Sequence, residues 1–513
     1  MERPRALAGL AGTAGVGLAL GAAELGSAVV DGVPSLVTAV SAYVIPFVPP
    51  VVEDVVIGLF GTSDKAVLAG GTVMISLVVG AVAGLLGRDN RSNATALFAG
   101  FGMLGILAAV GRPLTAPVAT VVVTVAATVA GRAALGRLLT LLDRADVRSP
   151  YAGSGERTLG GGVGRRQFVT ALVGIGATAV VMAAIARNVM RPAPIDGDEV
   201  ALPEPARVLP DVPPAASLDV TGLTPIHVAN DDFYRIDTAL SVPRIDPVEW
   251  SLRIHGMVER EVVLGYADLL AMPLIEHDAT IACVSNEVGG HLVGNARWLG
   301  IPLPDILDLA GVVEGATQLV GRAIDGWTAG FPTELAVDGR EAMLVVGMNG
   351  AVLPPVHGFP ARLIIPGLYG YVSATKWLTE IELTTWEAFD AYWVPRGWAK
   401  EGPIKTQSRI DVPRQGSRVP LGPTVIAGVA WAPTHGIERV EVRIDEGAWQ
   451  TCELSVPLHE DAWVQWRTEV DLAPGQHAIQ VRATDGSGRT QGQAPMPPRP
   501  DGSEGWHEVR VSA

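Results

Sequence analysis

The chain has 513 residues, 48% of them hydrophobic, and a formal charge of −15; at roughly 150 residues per domain this is room for about three domains. The acidic balance excludes a basic nucleic-acid-binding protein, and two cysteines, Cys283 and Cys452, are too few for a disulfide scaffold, a CxxC zinc site or an iron–sulfur centre. The averages hide a split: residues 1–191 carry 15 Lys+Arg against 10 Asp+Glu, a net of +5, which leaves −20 for residues 192–513, and all nine His and all twelve Trp lie beyond residue 226.

Residues 1–190 read as an α-helical transmembrane anchor. Gly- and Ala-rich apolar runs cover 6–30, 66–86, 94–110, 114–130 and 168–186. At about 17–25 residues each can cross a hydrocarbon core of about 30 Å, and the small residues suit close helix packing in lipid. The apolar stretch 34–60 is broken by Pro46, Pro49 and Pro50 and by Glu53–Asp54, and reads as an interfacial or re-entrant segment. Glu24 is the one charge inside the first run and is expected at a packed interface or a headgroup. No histidine lies in the runs, which excludes a membrane haem held by two histidines in this bundle.

The arginines set an orientation. Arg3, Arg5, Arg88 and Arg91 fall on one side with the loop after the fourth span, which carries Arg132, Arg137, Arg144, Arg148, Arg157, Arg165 and Arg166; Asp31, Glu53, Asp54 and Asp64 fall on the other. The positive side is cytoplasmic, so the N-terminus is expected inside and residues 192–513 outside the cytoplasmic membrane. A sixth span at 34–60 would break this pattern. The segment Gly164-Arg165-Arg166-Gln167-Phe168-Val169-Thr170 resembles a twin-arginine export signal; its bland reading is a positive stop before a span.

Residues 191–226 contain eight prolines and read as an extended linker. In 227–400, Trp250–Met257 alternates like a strand, Tyr266–Leu270 and Pro304–Ala310 read as short helices, and Leu344–Gly347 and Arg362–Ile365 as buried strands, an α+β domain. In 401–513 the alternation of Arg439–Ile444, Ala462–Val470 and His477–Ala483 predicts an all-β sandwich, with Trp431, Trp449, Trp463 and Trp466 in its core.

Cys283 stands in Thr280-Ile281-Ala282-Cys283-Val284-Ser285-Asn286, a strand end followed by a turn, from which sulfur can face a cavity. A lone cysteine is more often a small buried hydrophobe, the reading kept for Cys452. A cysteine hydrolase would need a base such as His291 or His357, and no local signature supports one. Two further segments, His357–Arg362 and Pro366–Trp377, combine glycines with Arg, Ser and Lys in the manner of an anion cradle.

Four segments in order, Asn230–Arg235, Cys283–Asn286 with Gly294–Gly300, His357–Arg362 and Gly367–Trp377, resemble the sulfite-oxidase superfamily of molybdenum enzymes over about 225–400. The C-terminal block resembles that family's immunoglobulin-like dimerisation domain. The resemblance implies a molybdenum–molybdopterin cofactor held without a covalent bond to the pterin, with Cys283 as thiolate ligand to the metal. It implies contacts to the pterin and its phosphate from Asn230, Phe233, Tyr234, Asn286, Thr328, His357, Arg362, Ser373 and Lys376, with Arg235 and Arg297 as candidates for the substrate side. Trp298 is read as packing.

The chain departs from sulfite oxidases proper. Glu287 stands where arginine follows the Cys-x-x-Asn turn, Trp327 where the active-site tyrosine is expected, and Arg235-Ile236-Asp237 in place of an Arg-Asn-His string. These changes leave a sulfite-like anion and a neutral sulfoxide both open as the small-molecule substrate. The expectation is an oxygen-atom-transferring oxidoreductase with membrane lipid around its anchor, a separate electron-transfer partner, no nucleic acid, a possible homodimer, and no haem or iron–sulfur cluster in this chain. The rival class is a non-catalytic extracytoplasmic binding module that retained the fold.

Overall fold

The computed structural model describes residues 2–48, 64–112, 115–146, 160–189 and 200–513. These form two compact units, Met1–Ala193 and Pro194–Ala513.

The first unit is helical: α1 Glu2–Val29, α2 Leu36–Val44, α3 Asp64–Asp89, α4 Arg91–Val110, α5 Pro117–Asp146 and α6 Gly160–Val189. Five of these, all except α2, contain a stretch long and apolar enough to cross a membrane. Helix α1 is the hub and packs on α3, α5 and α6. Its crossing with α3 is backbone on backbone. A Cβ on Gly12 would lie 1.9 Å from the Gly80 carbonyl oxygen, and one on Gly84 2.0 Å from that of Ala8, so only glycine permits this approach.

One expectation for this unit changes. The basic residues Arg132, Arg137 and Arg144 lie on α5, not in a loop, because the helix runs on to Asp146. At about 1.5 Å per residue its 30 residues exceed a 30 Å core, and the last turns can carry charge into the headgroups. There Asp143 pairs with Arg91 at 2.6 Å, so the start of α4 and the end of α5 lie together. Within 34–60, the nine-residue α2 is too short to cross, and residues 49–63 are outside the described residues. Glu24 is at a packed interface: its Oε1 accepts from Ser35 Oγ (3.0 Å) and from Val37 N (3.1 Å), capping α2. Arg148 and Arg157 are outside the described residues.

The second unit begins with a strap rather than a free linker. Residues 200–226 lack regular structure apart from one 3₁₀ turn at Pro214–Ala216, yet their backbone is tied down. Ala206 N donates to Leu274 O (2.7 Å), Leu218 N to Gln465 Oε1 (2.6 Å) and Thr224 N to Asp411 Oδ2 (3.1 Å). Proline bars helix and ladder, but side-chain acceptors can still satisfy an extended backbone.

Two sheets follow, the first mixed and the second antiparallel. One sheet has the order β2 (Val262–Gly265), β1 (Ser251–Gly256), β10 (Leu378–Thr384), β5 (Gln318–Ala323), β6 (Thr328–Pro332). The other runs β3 (Ile275–Ala282), β4 (Val293–Pro302), β7 (Met343–Met348), β8 (Ala351–Val352), with β9 (Arg362–Ile364) also on β7. Short helices α7 (Tyr266–Ala271), α8 (Leu303–Ala310) and α9 (Gly370–Ser373) pack beside them. The expected helices and strands of 227–400 all appear, with boundaries moved by a residue or two. A continuous core joins both layers, with Leu252, Trp298, Leu344 and Ile381 fully buried.

The C-terminal block is two four-stranded sheets. One has the order β11 (Gln407–Val412), β12 (Gly422–Trp431), β16 (Val464–Leu472), β15 (Glu453–Leu454); the other β14 (Gln450–Thr451), β13 (Ile437–Ile444), β17 (Gln476–Asp485), β18 (His507–Ser512). Ile426 and Trp466 from one and Val440, Val481 and Val511 from the other share one core. Trp466 is buried in this core as expected, whereas Trp431 and Trp463 are buried in the core of the two preceding sheets. Trp449 is not: it is half-buried against Trp506 (ring centroids 4.9 Å) with Arg443 and Arg482 over its face. Both cysteines are unpaired and buried.

Candidate active site

Strand β3 ends at Ala282 and Cys283 begins the turn. Cys283 N donates to Leu292 O (2.9 Å), Asn286 N to Cys283 O (3.0 Å), and Leu292 N to Asn286 Oδ1 (2.8 Å), so the Cys-x-x-Asn turn is closed on itself. The Cys283 thiol is buried at 8% exposure. Burial pushes it up, against the lowering contacts of Ser285.

Tyr234 and Tyr369 lie close enough to Cys283 to feel its charge, and burial raises both phenols. Phe233 stacks on Tyr234 (5.3 Å between centroids) and meets His357 and Trp298 edge-on at 5.6 and 5.7 Å. A Cβ on Gly294 would sit 2.7 Å from the Phe233 ring, so the glycine makes room for it. Trp298 is fully buried and donates Nε1–H to Ala279 O at 3.0 Å, which confirms its packing role.

The basic groups gather here. Arg362 is 4% exposed, lies over Trp298 at 5.3 Å, and donates Nη1–H to His357 O at 3.0 Å. Its Nε has no partner, and burial pulls it down to about 10. Lys376, 8% exposed, donates from Nζ to Asp237 Oδ2 (2.7 Å) and Val356 O (3.1 Å); burial, partly offset by Asp237, takes it down to about 8. Gly358, at φ +118°, brings these two together: a Cβ there would lie 3.0 Å from that of Lys376 and 3.2 Å from that of Arg362.

His357 Nε2 lies 2.7 Å from the Asn230 carbonyl oxygen. A carbonyl only accepts, so Nε2 carries the proton and Nδ1 keeps a lone pair. Burial, opposed by that bond and helped by Arg362, Lys376 and Arg235, lowers His357 to about 4, so the imidazole is neutral near pH 7. Asn230 donates from Nδ2 to Met348 O (3.2 Å). Ser373 is buried and donates to Tyr369 O (3.1 Å).

Cys283, Asn286, Asn230, Phe233, Tyr234, His357, Arg362, Ser373 and Lys376 thus form one connected region. Arg235 reaches its edge by pairing with Asp237 at 2.9 Å. Thr328 commits its hydroxyl oxygen to Tyr392 N (3.0 Å). Arg297 is a correction. The register sets it opposite Asp278, and successive strand residues face opposite ways, so Trp298 takes the inner face and Arg297 the outer. There it binds Asp278 through Nε (3.0 Å) and Nη2 (2.9 Å) and Pro210 O (3.1 Å). Burial alone would raise Asp278; the neighbouring His227 and Arg297 outweigh it and hold it down to about 2.

Several positioning residues carry no signal in the sequence. Asn349, at φ +51°, donates to Val228 O and Asn230 Oδ1, both at 2.8 Å. Ser503 Oγ donates to Asn286 O (2.9 Å) and Arg409 Nη1 to Gly290 O (2.9 Å), so the C-terminal block holds the cysteine turn from more than a hundred residues away.

The donor set fits an anionic pterin cofactor with a metal bound to sulfur. A buried guanidinium without a counter-charge is costly, and the Arg362 Nε, Thr375 Oγ1 and Asn286 Nδ2 atoms are all buried without partners. An anion beside Arg362 would relieve that cost, and Cys283 offers a soft ligand in the same region.

Comparison with known proteins agrees. Residues 239–393 match the oxidoreductase molybdopterin binding domain and residues 401–512 the Mo-co oxidoreductase dimerisation domain. The uncharacterized oxidoreductase YuiH of Bacillus subtilis is 31% identical over 191 residues, covering 37% of this chain and 87% of that protein. Human mitochondrial sulfite oxidase is 27% identical over 341 residues, covering 56% of this chain and 62% of the human protein. A chain of the sulfane dehydrogenase SoxCD from Paracoccus pantotrophus overlays with a TM-score of 0.49 at 23% identity, over 63% of this chain and 93% of that one. With its cysteine turn, its uncompensated arginine and both domains in family order, this chain belongs to the sulfite-oxidase superfamily of molybdopterin-dependent oxidoreductases.

Proposed function

We propose that the chain is a membrane-anchored enzyme that moves an oxygen atom to or from a small substrate outside the cytoplasmic membrane. The observation that carries this is the pairing of a buried thiol, Cys283, with a buried arginine, Arg362, that has no carboxylate partner among the described residues. In this reading Cys283 ligates molybdenum as thiolate, while Arg362, Lys376, His357 and Ser373 hold the pterin and its phosphate. The bound metal supplies a two-electron oxidation–reduction couple. Phe233 and Tyr234 cover the region and exclude water, and neutral His357 offers its Nδ1 lone pair without adding charge.

The side of the membrane rests on the arginine distribution, the export route on Arg165-Arg166, and the electron-transfer partner on the lack of a CxxCH motif in the sequence. The paired sheets of the C-terminal block suit an immunoglobulin-like dimerisation module. On the substrate side, Asp237 pairs with both Arg235 and Lys376. Asp237 cancels one of the two positive charges, which weakens the case for a sulfite-like dianion relative to a neutral oxygen acceptor such as a sulfoxide.

Full-length protein from a molybdenum-competent host is expected to hold one molybdenum and one pterin per chain, and to reduce sulfoxide faster than it oxidises sulfite. Cys283→Ser is expected to abolish turnover. Protein devoid of molybdenum, or full turnover by that variant, would overturn the reading. Protease added to intact spheroplasts is expected to remove residues 200–513; protection there would reverse the orientation.

A further inference from the structure

His277 on β3 and the loop residues His459 and Asp461 meet where the cofactor domain touches the C-terminal block. His277 Nε2 lies 2.8 Å from Asp461 Oδ2, and His459 Nδ1 lies 3.4 Å from the same oxygen. One ligand atom from each of the three lies within 4.8 Å of the others. The second carboxylate oxygen, Oδ1, accepts from Thr434 N at 2.9 Å, which fixes the carboxylate plane and aims Oδ2 between the two rings. The rings stand edge to face at 4.6 Å. His277 and Asp461 are buried, while His459 is exposed and opens the group to solvent.

We propose that His277, His459 and Asp461 form a site for a divalent transition ion of the zinc type, with a solvent-facing fourth position. Zinc bonds to imidazole nitrogen and carboxylate oxygen of about 2.0–2.1 Å, arranged tetrahedrally, set ligand atoms about 3.3–3.4 Å apart. The His459–Asp461 separation already has that value. The His277–Asp461 pair needs to open by about 0.5 Å as the ion replaces the bridging proton, which moves to the other ring nitrogen. Two imidazoles with one carboxylate and no thiolate suit zinc, cobalt or nickel better than magnesium or calcium. Glu341 and Glu460 act on His459 from nearby and add negative potential that attracts a cation. Asp461 is ionised: burial would raise it, but the hydrogen bonds of His277 and His459 hold it below the usual carboxylate range.

The placement gives the ion a task. His277 lies on the strand that leads into Cys283, and Thr280 N on the same strand donates to Asp461 O at 2.9 Å. An ion here would clip that strand to the C-terminal block and stiffen the base of the cysteine turn.

Cobalt(II) is the probe. Full-length cofactor-loaded protein, stripped with a chelator and then titrated, is expected to bind one Co²⁺ per chain with the intense visible bands of a four-coordinate ion, to lose it to Zn²⁺, and to gain thermal stability. His459→Ala, a change at an exposed position, is expected to abolish bands and stabilisation while molybdenum content stays the same. Cys283→Ser, and His477→Ala at the separate surface pair with Asp445, are expected to keep them. No tetrahedral bands, or bands that survive His459→Ala, would show that a proton alone bridges the three residues and would overturn the proposal.

Discussion

The Arg362 guanidinium lies 5.3 Å over the Trp298 ring, with its Nε unpartnered. Its charge is therefore held by an indole face and one carbonyl, far less than a buried cation needs. Arg362→Met is expected to leave the cofactor-free fold intact or more stable by about 1–3 kcal/mol, the desolvation relieved. The same variant should lose pterin and molybdenum on purification. Cofactor content and chemical denaturation of the apo protein check both halves.

His357 links the fold to acid. Its folded value of about 4 lies below the ordinary 6.5, so the unfolded chain takes up the proton first. The stability contribution is full above about 6.5 and is lost as pH falls from there through about 4, by roughly 3 kcal/mol at most. Denaturation of apo protein along this window is expected to show the loss, and His357→Gln to flatten it.

Asp237 pairs with Arg235 and Lys376 at once, at 2.9 and 2.7 Å, and cancels one of their two charges. Asp237→Asn is expected to tighten inhibition by a small oxyanion such as sulfate about tenfold, since one charge at this range is worth between about 1 and 4 kcal/mol as the surroundings go from water-like to protein-like. Sulfoxide KM should move much less. Inhibition constants at fixed ionic strength decide it.

Arg297 is a structural residue in this fold. Arg297→Met leaves the Asp278 carboxylate, which is 3% exposed, with His227 as its remaining charge partner, and is expected to cost about 3 kcal/mol of stability. Molybdenum content and KM of the folded fraction should stay within error. A raised KM with unchanged stability would return Arg297 to the substrate side.

The turn at Cys283 was legible as a strand end, and the His357–Arg362 and Pro366–Trp377 segments as glycines beside basic groups, because these are local patterns; their roles toward a cofactor rest on the resemblance. Trp298 was read as packing and Arg297 toward the substrate side; neighbouring strand residues face opposite ways, and the β3–β4 register sets Arg297 against Asp278. The strap at 200–226 shows a related limit. Its prolines correctly exclude helix and strand, but they say nothing of acceptors such as Gln465 and Asp411, which lie far along the chain and take its backbone N–H groups. Trp449 was placed in the core on size alone, and the guanidinium groups of Arg443 and Arg482 hold it at the surface instead.

By itself the sequence determined the helical apolar half and the β-rich acidic half, because length and periodicity are local properties; the residues proposed to hold a molybdopterin were named through the family resemblance. Only the tertiary structure decided that Ser503 and Arg409 brace the cysteine turn, that Tyr369 and Asn349 join the region, and that His277 meets His459 and Asp461. Those contacts join segments about ninety to more than two hundred residues apart, and their geometry follows from strand register and domain docking, which no stretch of sequence contains on its own.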